Sequence, residues 1–224
     1  METNVAINGN RGVRIVVFPE SRQWAIRESG DFCRLESIPD IMETTLFRLS
    51  PGMDVPLTAH REDREILVLE GALDLGGRTW TKGAYLRLSG ESSRTSLKAR
   101  EEGCLLFLKA GQFPEGDRES TGFQPEDGSW RPGLVDGLNV LPLFSGGTAN
   151  TALVRWDPGT VFQPHRHFGG EEILVLSGVF EDELGTYPAG TWIRSPHMSR
   201  HDPFSTPGCT IFVKTGHMLD REQP

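Results

Sequence analysis

Cysteine is scarce in this chain. Three occur in 224 residues, Cys33, Cys104 and Cys209, and none stand at C-x-x-C spacing. An odd, widely spaced set argues against a disulfide framework and for a reducing compartment. Positive charge is also in short supply. Lys and Arg number 23 against 31 Asp and Glu, the formal net charge is -8, and no basic run stands out. A protein that grips a phosphate backbone needs clustered cations, so direct nucleic-acid binding is not expected. No apolar stretch approaches the roughly 18–20 residues of a membrane span. The opening METNVAINGNRG lacks the basic-then-apolar pattern of a secretion signal. The expected address is therefore cytoplasmic. Apolar residues at helical spacing over three turns are missing as well. What is present is an ordinary apolar fraction of 37% with 26 glycines, and length for two small domains or one large one.

The chain repeats itself, and the repeat decides the fold class. Glu65-Ile66-Leu67-Val68-Leu69-x-Gly71 recurs as Glu172-Ile173-Leu174-Val175-Leu176-x-Gly178, at an offset of 107 residues. Upstream, Leu46-x-Arg48-x-x-Pro51-Gly52 returns as Leu153-x-Arg155-x-x-Pro158-Gly159. Downstream, Gly83-Ala84-Tyr85-Leu86-Arg87 returns as Gly190-Thr191-Trp192-Ile193-Arg194. Near the end, Gly103-Cys104 to Lys109 matches Gly208-Cys209 to Lys214 at an offset of 105, as a two-residue insertion in a loop would produce. Each copy consists of short Val-, Ile-, Leu- and Phe-rich runs punctuated by Pro-Gly and Gly-Gly, the pattern of strands in a sandwich or barrel. The expected organisation is an all-β chain: a first domain over 1–115, a Gly-, Pro- and acid-rich linker over 116–128, and a second domain over 129–224.

The second copy carries a metal-ligand pattern. Gly159 is followed by His165-Arg166-His167, then Phe168-Gly169-Gly170-Glu171, then Gly178. This fits the first cupin motif, G-x5-H-x-H-x3-E-x6-G, at every fixed position. Alternation along a strand points His165 and His167 the same way, and a Gly-Gly turn returns Glu171 to that face. His201, beyond the Pro188-Ala189-Gly190 turn, can supply a fourth ligand from a neighbouring strand, with His197 as its rival. Three imidazoles and a carboxylate suit a borderline divalent ion such as zinc, iron, manganese or nickel.

The general second cupin motif would place a histidine at position 193, where this chain has Ile193. The run His165–Gly178, with Tyr187–Pro196 and Ser199-Arg200-His201-Asp202-Pro203, instead closely resembles the cupin-like domain of the anti-sigma factor ChrR. The resemblance covers most of 140–215 and, more faintly, the first copy. It implies two tandem cupin (RmlC-like jelly-roll) β-barrels. It also implies a zinc-type site at His165, His167, Glu171 and His201. ChrR proper adds a helical sigma-binding domain with an H-x3-C-x2-C motif, and no such motif occurs here.

In the first copy, His165, His167, Glu171 and His201 correspond to Thr58, His60, Arg64 and Arg94. A guanidinium stays protonated and has no lone pair to give, so no metal is expected there. Arg64 and Arg94 with His60 could form a small anion site unless Glu62, Asp63 or Glu91 neutralises them. Glu172, next to the ligand position, should face away from it in a structural role. Cys104 and Cys209 read as buried small hydrophobes. Trp24 and Trp130, which open the two copies, read as core or inter-barrel packing.

Two functions stay open at this stage. Four protein ligands close a tetrahedral zinc shell, which suits a regulatory or stress-sensing protein with a sigma factor as the implied partner. The same four around an octahedral ion leave two positions, which suits a non-haem dioxygenase acting on a small carbonyl or diketone. A homodimer is compatible with either.

Overall fold

The apolar runs of both copies become antiparallel strands. The computed structural model describes residues 6–28, 30–55, 63–114 and 116–218, and the elements among them are strands and three short 3-10 turns. No helix among the described residues is long and apolar enough to cross a membrane. The chain divides into two units. One comprises Met1–Gly9 with Gln23–Gly128, the other Asn10–Arg22 with Ser129–Pro224.

This division departs from the boundaries read in the sequence, because each copy gives up its first strand. Ile15–Val17 belongs to the second unit, where it pairs with Trp192–Ser195, Ile15 opposite Arg194 and Val17 opposite Trp192. Thr121–Phe123, inside the stretch expected to be a linker, pairs with Tyr85–Ser89 of the first unit, Thr121 opposite Arg87 and Phe123 opposite Tyr85. Arg87 and Arg194 are equivalent residues, so the two exchanges are equivalent too. A short strand cannot bury its own edge, and it ends where an unpaired edge awaits it.

Within the second unit, Glu171–Asp182 lies between Trp192–Ser195 and Cys209–Thr215, and Ala149–Trp156 continues the sheet. Strand alternation decides what faces the interior. Ile173, Val175, Ile193 and Ile211 point into a core with Trp156, Phe180 and Tyr187. Glu171 shares that inner face. Glu172 faces the other way, between Arg194 and Lys214 in the ladder, and its buried carboxylate accepts a 2.7 Å hydrogen bond from Trp192 Nε1. The first unit repeats the device with Glu65, Arg87, Lys109 and Tyr85, whose hydroxyl donates to Glu65. Glu172 is thus a structural residue on the face away from the ligand group.

Cys33, Cys104 and Cys209 are all buried, and none of the three is in a disulfide. Trp24 and Trp130 do not join the core. They are half-buried rather than core residues, and each lies beneath an arginine, Arg48 at 4.6 Å and Arg155 at 4.3 Å from the ring centre. An indole stacked on a guanidinium keeps one face wet, which the repeat alone did not reveal.

Candidate metal centre

His165 and His201 sit directly opposite each other in a two-residue ladder formed by His165–Arg166 and Arg200–His201. His167 follows on the same face as His165. Its backbone is tied to the facing loop, His167 N–H donating to Ser199 O at 3.0 Å and Met198 N–H to His167 O at 2.8 Å. Met198 adopts a left-handed conformation (φ 62°) to make that bond, a strained geometry costing roughly 1–3 kcal/mol. The chain then turns through Gly169 and Gly170, both at φ 74°. A Cβ on Gly170 would collide with the Met218 side chain and stand 3.0 Å from Ser195 O, so glycine is required for Glu171 to re-enter the interior.

These paths bring His165, His167, Glu171 and His201 together, with one ligand atom from each lying within 4.8 Å of all the others. The three imidazole rings form a triangle with centroid separations of 4.7, 4.8 and 4.6 Å. His167 Nε2 is 3.0 Å from His165 Nε2 and 3.5 Å from Glu171 Oε1, and His201 Nε2 is 3.6 Å from Glu171 Oε2. Ligands bound at 2.0–2.1 Å around a tetrahedral ion stand about 3.3 Å apart, so these spacings bracket the shell a zinc-sized ion needs. Glu171 Oε2 and His201 Nε2 are buried without a hydrogen-bond partner among the described residues. Two orphaned acceptors in an apolar interior are costly unless a cation meets them. The donor set therefore fits a divalent metal.

Each ring is also held from behind, which sequence reading missed. His165 Nδ1 is 3.0 Å from Gln163 O, His167 Nδ1 is 3.0 Å from Ser199 Oγ, and His201 Nδ1 is 3.6 Å from Asp182 Oδ2. A proton on Nδ1 facing these acceptors leaves the Nε2 lone pair aimed inward. Asp182 is itself fixed. It accepts hydrogen bonds of 2.8 Å each from Tyr187 Oη, the Leu184 amide and Arg14 Nη2, and Arg14 also donates to Tyr187 at 2.9 Å. The signal lay in the copies, because Asp182 and Tyr187 answer to Leu75 and Trp80, changed together with the ligands. His197 stands outside the group: its Nδ1 accepts the Gly169 amide at 2.9 Å and its ring meets Phe168.

Electrostatics favour a proton on Glu171 and His201 and disfavour one on His165 and His167. Burial raises the Glu171 carboxyl to about 7, against the opposing pull of His201 and Arg14. Burial, with repulsion from the other two rings, pushes His167 down to about 3. His165 is lowered, mainly by burial. Burial works against charge on His201, but Asp182 and Glu171 outweigh it and the ring's pKa is raised.

Two predictions arise here. Asp182→Asn is expected to weaken zinc binding by about 10–100-fold through loss of His201 orientation. A chelator-competition titration measures it, and an unchanged affinity would remove Asp182 from the support of the site. Metal must also displace the protons held by Glu171 and His201. Affinity should therefore fall as pH is lowered from 8 to 6, gently above pH 7 and more steeply below it as the Glu171 carboxyl takes up its proton, the limit being roughly tenfold per pH unit for each displaced proton. Competition titrations at pH 8, 7 and 6 check the slope, and a flat profile contradicts it.

In the first unit, Thr58 and His60 lie outside the described residues. Arg64 occupies the position of Glu171 and is buried, whereas Arg94 is exposed where His201 is buried.

Comparison with known proteins follows this geometry. The family model described as the ChrR cupin-like domain matches twice, at residues 14–114 and 118–219. No curated protein matches the chain in sequence. Among solved structures, a candidate dioxygenase from Nostoc punctiforme superposes with a TM-score of 0.72 at 16% identity, covering 95% of this chain and 85% of that one. Protein YlbA of E. coli gives 0.71 at 17%, covering 99% and 97%. The oxalate decarboxylase of Lactobacillus farciminis gives 0.66 at 14%, covering 96% and 90%. At such identities the likeness shows the fold: two tandem cupin barrels.

Proposed function

Because the chain belongs to the ChrR cupin-like family through both of its repeats, we propose that it is a metal-binding bicupin with a regulatory, stress-sensing role. In this reading His165, His167, Glu171 and His201 hold a zinc ion in the second barrel, in the cytoplasm, and a sigma factor is the partner to test. The observation that carries the reading is the convergence of four protein donors, each imidazole backed by an acceptor. Four such donors complete a tetrahedral zinc shell and leave no position for a substrate. The surroundings suit holding an ion more than turning over a substrate. Phe162 lies edge-on to His165 at 5.0 Å, Phe180 is 6.1 Å from His201, and Trp156 stands behind both. When bound, the ion supplies the positive charge that the buried Glu171 carboxylate lacks.

A second reading, metal-dependent chemistry on a small carbonyl or diketone, is favoured by the near-complete superposition on two-barrel proteins that include the candidate dioxygenase and an oxalate decarboxylase. It requires an octahedral iron, manganese or nickel ion with open positions. Metal analysis of the purified protein, followed by oxygen uptake with small diketones, separates the two. Stoichiometric zinc without uptake supports the regulatory reading. Iron or manganese with uptake overturns it. Failure of any sigma factor to co-purify would remove the regulatory partner.

A further inference from the structure

The first barrel carries a polarity opposite to that of the second. Arg64 lies on the inner face with Ile66 and Val68, opposite Leu88 on one neighbouring strand and Ala110 on the other. It is 1% exposed. Nη2 donates to Thr95 O at 2.9 Å, while Nε and Nη1 are buried with no hydrogen-bond partner among the described residues. Two strands away on the same inner face, opposite Leu108, Thr45 Oγ1 is also buried without a hydrogen-bond partner among the described residues. At the ligand position of the second barrel the orphaned atoms among the described residues are Glu171 Oε2 and His201 Nε2, which suit a cation. At Arg64, the position of Glu171, the orphaned atoms are those of a guanidinium, which donates.

Glu62 lies outside the described residues, and among those described the neighbouring carboxylates face other partners. Asp63 accepts the amides of Gln112 at 3.1 Å and Phe113 at 3.2 Å. Glu43, across Ala110 from Arg64, lies 3.8 Å from Arg34. Glu91 is exposed. A guanidinium buried without a counter-charge among the described residues is costly, and its chemical complement is an acceptor small enough to enter a barrel.

We propose that the first barrel binds a small carboxylate, of the size of formate or acetate, at Arg64, in the position where the second barrel gathers its metal-ligating side chains. Charge-assisted bonds from Nε and Nη1 recognise the carboxylate oxygens, and the apolar walls exclude larger or strongly hydrated anions. Burial lowers the Arg64 pKa to about 10, so the side chain remains a cation at neutral pH. The site is independent of any ion in the second barrel.

Titration calorimetry and thermal melts test this on the full-length chain, stripped of metal and desalted, and on its His167→Ala variant. Sodium formate and sodium acetate are the probes, with sodium chloride at equal ionic strength as reference. Saturable binding and a dose-dependent rise in Tm beyond chloride are expected in both proteins, which separates the site from an anion held on a metal. Arg64→Met should weaken binding at least tenfold, Arg64→Lys by less. In carboxylate-free buffer Arg64→Met should melt higher than the parent, because an uncompensated buried charge has gone. Absence of saturable binding, an equal response from Arg64→Met, or a lower melt or loss of folding in that variant would overturn the proposal, the last by showing that Arg64 is already partnered within the fold.

Discussion

Replacing His167 by alanine is expected to reduce zinc affinity by about a thousandfold or more while the protein still melts cooperatively. His167 is the central donor, within 3.0 Å of His165 Nε2 and 3.5 Å of Glu171 Oε1, so its loss opens the shell between its neighbours. Small zinc domains draw their folding energy from the metal, on the order of 10–16 kcal/mol. This chain does not need it, because Ile173, Val175, Phe180, Ile193 and Ile211 form a core of their own, each fully buried side chain contributing roughly 1.5–3 kcal/mol. Zinc at a thousand times its dissociation constant should add about 4 kcal/mol to the wild type. For a domain of this size that raises Tm by about 15 °C or more. The variant should show no such rise. Calorimetry with and without zinc measures both quantities. An unfolded variant would show that the core has been misjudged, and an undiminished zinc response would remove His167 from the site.

The second large effect concerns the borrowed strand. Residues 129–224 expressed alone should fail to form a stable, zinc-binding unit. That fragment lacks Ile15–Val17, which caps the edge at Trp192–Ser195. It lacks Phe18, which stacks with Tyr187 at 6.3 Å. Arg194 loses its bond to Asn10 O at 2.7 Å, and the fully buried Asp182 loses Arg14. Stripping one partner from a buried ion pair costs about 3–5 kcal/mol. Small domains have only about 5–15 kcal/mol in all. Adding residues 10–22, fused through a flexible linker or supplied as a peptide, should restore the fold and zinc binding. Near-UV circular dichroism and zinc titration follow both steps. A fragment that folds and binds zinc unaided would show the borrowed strand to be dispensable.

The same segment links the N-terminal strand to the metal centre. Arg14 anchors Asp182, and Asp182 faces His201 Nδ1. The strand that closes the sheet edge therefore also holds the outermost support of a ligand. Edge closure and ligand orientation are met by adjacent residues, Arg14 and Ile15.

Local pattern was enough for the all-β class, the duplication, and the trio His165, His167 and Glu171. Repeat offsets, strand alternation and a two-glycine turn are properties of neighbouring residues, and each could be read along the chain. The opposite faces of Glu171 and Glu172 followed from the same alternation. Pairing between distant strands is different, because any short β-prone run can close any open edge of similar length. Only the folded chain decided that Ile15–Val17 and Thr121–Phe123 each join the other copy's barrel. Likewise, the choice of His201 over His197 depended on which ring the Arg200–His201 ladder turns inward, and the roles of Arg14 and Asp182 on contacts spanning 168 residues. The burial of Arg64 without an acceptor is of this kind too, since the exposure of a charge is set by what packs around it.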